Sequence, residues 1–153
     1  MKRFIFRLQP ILQFRQYRER LARQETALAL REVQASEAKV AELTDEHTRT
    51  ALELDAETSG GILASEFKTY TDYLDSLEHD ISDQILTTRK LAGILAQKQK
   101  LLAKKSVDRK VMERLREKRA HEYMDEFLKL EQKTLDEITS VRKAREINNG
   151  KPE

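Results

Sequence analysis

The chain has 153 residues, of which 37% are charged and only 6% aromatic, with no tryptophan. That balance excludes an ordinary globular core and fits a long helix or coiled coil, which buries a seam. Basic and acidic residues nearly cancel, 29 against 27, so no general affinity for polyanions follows; the absence of cysteine excludes disulfides and thiolate metal sites.

Residues 1–9 read as an amino-terminal arm. Phe4, Phe6 and Leu8 alternate with Arg3, Ile5 and Arg7, the pattern of a short extended segment or a frayed first turn. Arg7 ends the apolar run begun at Phe4, and a secretory leader needs about 7–15 apolar residues. No stretch approaches the ~20 apolar residues of a membrane span, so a soluble cytoplasmic protein is expected. Pro10 suits the first turn of helix 1, predicted over residues 10–59. Ile11, Phe14, Tyr17, Arg18 and Leu21 are expected to open its buried stripe. Ala22, Thr26, Ala29, Val33, Ser36, Val40, Leu43, His47, Thr50 and Leu54 continue it in alternating steps of three and four. Such a row keeps one face against a partner helix and implies a left-handed supercoil.

Gly60-Gly61 is the one strong break between Pro10 and Gly150, and residues 60–64 are read as the bend of a hairpin. Helix 2 is predicted over 65–147, with Ser65 as its N-cap and Glu66 at the positive end of its dipole. Its row runs through Phe67, Tyr70, Leu74, Leu77, Ile81, Gln84, Thr88, Leu91, Leu95, Lys98 and Leu102. It is expected to lose phase between residues 104 and 118, as in a stutter, and to resume from Tyr123 to Val141. Asn148, Asn149, Gly150 and Pro152 signal the stop before a tail at 148–153. The fold class is therefore all-α, an antiparallel two-helix coiled-coil hairpin forming a single domain.

At ~1.5 Å per residue, helix 1 spans roughly 70–75 Å and helix 2 roughly 120–125 Å. Folding at the glycines sets residue 10 near residue 113, so the end of helix 2 projects. Its stripe, Tyr123, Phe127, Leu130, Ile138 and Val141, is then left for the arm or a partner to cover. Charge is graded along the hairpin. Residues 32–83 hold fourteen acids against Lys39, Arg49 and Lys68, whereas residues 1–23 and 98–119 are strongly basic. Side-by-side basic segments repel, which suggests that this end meets an acidic surface. Arg15, Arg18, Lys104, Lys105, Arg109, Lys110 and Arg114 are its candidate docking residues.

No catalytic, cofactor-binding or metal site is read from the chain, and it is not read as an enzyme. Gly60-Gly61 lacks the Gly-Lys-Ser/Thr of a phosphate loop, and no serine has a supporting His/Asp arrangement. His79 shares a face with Asp75 and Asp83, read as a solvated face rather than a weak metal site. His47 is read as a polar seam residue. The basic segment 98–119 invites comparison with zipper-type DNA readers, but it lacks their Asn and Ala pattern, so no specific nucleic-acid partner is assigned. Phe67, Tyr70 and Tyr73 gather beside the bend, either as a clasp or, at Tyr73, as a surface a partner could reach.

The opening Phe4, Phe6, Leu8, Ile11, Leu12 and Arg15, followed by Glu19 and Ala27-Leu28-Ala29, resembles the start of the FliJ family of flagellar type III export proteins. Gly61-Ile62, Phe67, Tyr70, Tyr73, Leu77-Glu78 and Ile81 are similar to that family's post-bend stretch. The resemblance implies a hairpin like the central stalk of rotary ATPases, working in the cytoplasm at the inner-membrane export apparatus. It implies three partners: the hexameric flagellar export ATPase, whose ring assembly and activity it promotes, the cytoplasmic domain of the export gate protein, and export chaperones. Carried over by position, Leu43, Tyr73 and Leu77 form the gate contact. Other readings are an injectisome stalk, a basic coiled coil binding nucleic acid or anionic membrane, and a passive homodimeric scaffold.

Overall fold

The computed structural model describes residues 3–149, with side chains described as far as residue 146. The stop residues Gly150 and Pro152 lie outside this range. The described residues are 94% helical and contain no strand, and two long helices pack against each other: α1, Gln9–Gly60, and α2, Ala64–Asn149. Alanine, leucine, glutamate, lysine and arginine, all strong helix formers, dominate both. Pro10 lies in the first turn of α1, where its missing N–H has no intrahelical acceptor to satisfy. Just before it, the Gln9 N–H donates to the Phe6 carbonyl at 3.0 Å, and the Leu12 N–H to the Leu8 carbonyl at 3.0 Å.

The break between the helices is shorter than expected. Gly60 is still helical, and Gly61 alone takes a left-handed conformation, with φ of 91°. Its N–H donates to the Thr58 carbonyl at 3.3 Å. The N-cap of α2 is Leu63 rather than Ser65. The Leu63 carbonyl accepts from the Phe67 N–H at 3.0 Å, and the Leu63 N–H donates to the Glu66 carboxylate at 3.3 Å. That is the returning half of a capping box, so Glu66 supplies what the apolar cap residue lacks. Ser65 falls inside the first turn.

The chain divides into two compact units: unit 1, Met1–Tyr17 with Val107–Glu153, and unit 2, Arg18–Ser106. In unit 2 the seam follows the 3–4 rhythm. Ala22, Ala29, Val33, Ser36, Thr50 and Leu54 of α1 are buried, and Leu77 of α2 is buried opposite them. Contacts across the seam fix an antiparallel register. Lys98 pairs with Glu25 at 2.7 Å, His47 Nε2 lies 3.4 Å from Glu78, and the Gln84 side chain donates to Ser36 at 2.8 Å. Thr26 donates back to the Ala22 carbonyl at 2.8 Å, which satisfies its hydroxyl within α1.

The opening of the α1 stripe is set one residue away from the expectation. Counted back from Ala22, the rhythm runs through Glu19, Arg15 and Leu12, and Leu12 is 1% exposed. Ile11, Phe14, Tyr17 and Leu21 instead lie on the outer face. Glu19 is buried, and Arg23 donates to its carboxylate at 3.1 Å. A buried charge stays only where such a partner neutralises it.

The expected phase loss in α2 also has a different form. Leu102, Lys105, Arg109 and Met112 keep the steps of three and four, with Met112 buried and Lys105 and Arg109 half-buried. Two long basic side chains occupy seam positions, where their apolar stems can pack and their heads reach water. Beyond Met112, Leu115, Arg119, Glu122, Tyr123 and Glu126 of α2 line a groove shared with the arm. The pattern shifts because the partner there is an extended arm rather than a helix.

Candidate partner-docking surfaces

In unit 1, the arm lies along α2. Phe4 and Phe6 are half-buried while Arg3, Ile5 and Arg7 are exposed, so the alternation read in the sequence is realised as far as Arg7, but Leu8, expected on the apolar side, is 37% exposed. The Phe4 and Tyr123 rings are tilted, with centroids 5.6 Å apart, a favourable aromatic geometry. Arm and helix enclose a groove of about 500 Å³ lined by Phe4, Phe6, Leu8, Leu115 and Tyr123 among others. The arm covers only the start of the expected stripe. Tyr123 and Phe127 are half-buried, whereas Leu130, Ile138 and Val141 are exposed, Ile138 at 60%. Met124, Leu128 and Leu135 widen this apolar face.

The seven basic docking residues are not equivalent. Arg15 donates to the Asp108 carbonyl at 2.8 Å, and Arg109 forms an ion pair with Glu113. Both spend their donors inside unit 1. Lys110 and Arg114, also in unit 1, are exposed and make no ion pair among the described residues. Arg18, Lys104 and Lys105 belong to unit 2; the first two are exposed and Lys105 is half-buried.

Unit 2 carries a second surface beside the bend. A groove of about 490 Å³ is lined by Glu57, Ile62, Glu66, Thr69, Tyr70 and Tyr73. Tyr73 is 43% exposed, and its hydroxyl donates to the Glu46 carboxylate across the seam. That hydrogen bond holds the phenol above its ordinary pKa of 10.0. Lys68, hydrogen-bonded to Asp72 at 2.8 Å, is likewise raised above its usual range. Of the residues assigned to a gate contact, Leu43 is half-buried and Tyr73 exposed, but Leu77 is only 4% exposed. Leu77 packs in the seam because it falls on the 3–4 row, so it offers no face to a partner. Phe67, expected in the stripe, is exposed, and Tyr70 is half-buried.

His79 Nε2 lies 3.4 Å from Asp83, and the described residues contain no cluster of metal-ligating groups. Among these residues, no helix is long and apolar enough to cross a membrane. Two features escaped the sequence reading. The outer row Ile11, Phe14 and Tyr17 could have been found by counting the rhythm back from Ala22. The groove residue Glu57 carries no signal of its own, since only the bend brings it to Tyr70; Ile62 stands out only as part of the post-bend stretch, not as a groove wall.

These features define the class: an all-α helical hairpin. The sequence profile described as flagellar FliJ protein matches residues 4–148 of the chain. The chain belongs to the FliJ family, which gives it a flagellar export-related role. No curated protein matches it, and no solved structure matches it.

Proposed function

We propose that this chain is a non-enzymatic stalk of the flagellar type III export apparatus. It seats unit 1 in the ring of the hexameric export ATPase and promotes the ring's assembly and hydrolysis. The observation that carries this reading is the outer face of α2 in unit 1, where Leu130, Ile138 and Val141 are exposed on the same helix as Lys110 and Arg114. Apolar side chains so exposed mark a binding surface, and the free cations ~24 Å or more back along the same helix favour an acidic partner at that end. Tyr73, together with Leu43, makes a separate contact with the cytoplasmic domain of the export gate. Export chaperones complete the set of partners, and the protein works at the cytoplasmic face of the inner membrane. The match to a flagellar family favours this reading over an injectisome stalk.

The test mixes the purified chain with the cognate ATPase at low salt and follows hydrolysis and ring formation. Both are expected to rise. The doubly reversed variant Lys110→Glu/Arg114→Glu is expected to lose most of the stimulation while keeping its helicity, because neither side chain is tied into unit 1. No response to the unmodified chain at micromolar concentration would rule the stalk role out. Tyr73→Ala is expected to weaken gate binding and leave stimulation intact.

A further inference from the structure

The groove beside the bend joins two chemistries. Tyr70, Tyr73 and Ile62 give it apolar walls, Glu57 and Glu66 give it two carboxylates, and no basic residue lines it. Glu66, Thr69, Tyr70 and Tyr73 are spaced three and four apart, so they share one face of α2, and the bend brings Glu57 of α1 to that face. Most of the polar atoms are already engaged. Glu66 accepts from the Leu63 N–H, the Thr69 hydroxyl donates to the Ser65 carbonyl at 3.0 Å, and the Tyr73 hydroxyl donates to Glu46. Glu57 is exposed and makes no hydrogen bond or ion pair among the described residues. We propose that this groove is a socket for one arginine side chain, carried on a surface segment of a partner protein.

Charge selects a cation, and the groove's own stretch of chain supplies none. Residues 32–83 hold fourteen acids and three bases. Of the bases, Lys39 pairs with Glu42 and Lys68 with Asp72, and neither they nor Arg49 line the groove. The tyrosines then select arginine among cations. A guanidinium is planar, so it stacks on an aromatic ring while its fork of N–H donors meets a carboxylate. A lysine ammonium has neither the plane nor the fork. The two rings are in place beforehand: Tyr70 is half-buried, and Tyr73 is held by Glu46 across the seam. Little ordering remains for the incoming side chain to impose. The socket adds to the gate contact through Tyr73 but rests on the groove alone.

NMR titration of the isotope-labelled full chain tests it without any gate protein, so its failure leaves the gate contact standing. The probes are a blocked pentapeptide, Ala-Ala-Arg-Ala-Ala, and its counterparts with lysine or with citrulline, the neutral planar analogue of arginine. Shift changes are expected at Glu57, Ile62, Glu66, Tyr70 and Tyr73. The arginine peptide should bind roughly two- to fivefold more tightly than the lysine peptide, and the citrulline peptide more weakly than either. Glu57→Gln should weaken arginine binding roughly two- to fivefold, whereas Asp75→Asn, which removes the same charge outside the groove, should leave it unchanged. Tyr70→Phe should keep the binding and Tyr70→Leu lose it, both with unchanged helicity. Equal binding of the three peptides, shift changes spread evenly over the acids of residues 32–83, an affinity indifferent to Glu57→Gln, or no response at millimolar peptide would overturn the proposal.

Discussion

Two adjacent glycines mark the bend, but their backbones do different things. Gly60 is helical, and a Cβ built there meets nothing within 4 Å, so Gly60→Ala is expected to stabilise the chain by ~0.4–1 kcal/mol by restricting the unfolded state. Gly61 has equal space but a φ of +91°, which an L side chain rarely adopts, so Gly61→Ala should destabilise by more than ~1 kcal/mol. Urea unfolding of the two variants measures the contrast. Tyr73 offers a second residue-scale test. Its hydrogen bond to Glu46 requires the protonated phenol, and the folded pKa is raised above 10.0. The contribution is thus fully present below the ordinary value and is lost as pH rises through the raised one. Thermal unfolding from about pH 9 to about pH 12 should show the difference between the unmodified chain and Tyr73→Phe shrinking at the alkaline end.

At the scale of the helices, the seam is weakly apolar and depends on a polar layer for its alignment. Gln84 donates to Ser36 at 2.8 Å, Ser36 and Thr88 hydroxyls lie 2.7 Å apart, and Thr88 donates to the Gln84 carbonyl at 2.9 Å. Since the Thr88 proton goes to that carbonyl, the Ser36 proton points to Thr88, and every group in the relay is satisfied. Ser36→Ala should therefore cost ~1–3 kcal/mol by stranding its partners. Replacing the layer with Ser36→Leu/Gln84→Leu/Thr88→Val should raise the melting temperature but let the helices slide, visible as broadened or doubled NMR signals. Most of the fold was legible because the 3–4 rhythm of α1 is unbroken from Leu12 to Leu54. The opening of α1 was not legible from side-chain character, because Ile11, Phe14 and Tyr17 are more apolar than Arg15 and Glu19, yet the rhythm half-buries Arg15 and buries Glu19. The α2 seam seemed to lose phase because Lys105 and Arg109 hold seam positions. The docking residues were only partly legible, since sequence gives charge but not whether a carbonyl, as at Asp108, has already taken it.

For the whole molecule, charge tells the two surfaces apart. The acidic residues concentrate between 32 and 83, within unit 2, while Lys110 and Arg114 in unit 1 stand free of ion pairs among the described residues. ATPase stimulation through exposed cations should fall steeply between low and physiological salt, because screening over ~8–10 Å removes most of such an attraction. A stopped series of hydrolysis assays at rising ionic strength checks this; gate binding through Tyr73 should change less. A different consequence follows from how unit 2 is closed. The chain enters it at Arg18 and leaves it at Ser106, near the Glu25–Lys98 pair and away from the bend. A tensile load on those two strands of chain peels the seam apart one layer after another, starting at the small side chains of Ala22 and Ala29. A twist about the seam, by contrast, strains every layer together. Unit 2 should thus yield more readily to pulling than to torque, with the Lys98–Glu25 hydrogen bond as the first cross-seam bond a peeling front meets and the Ser36 relay after it.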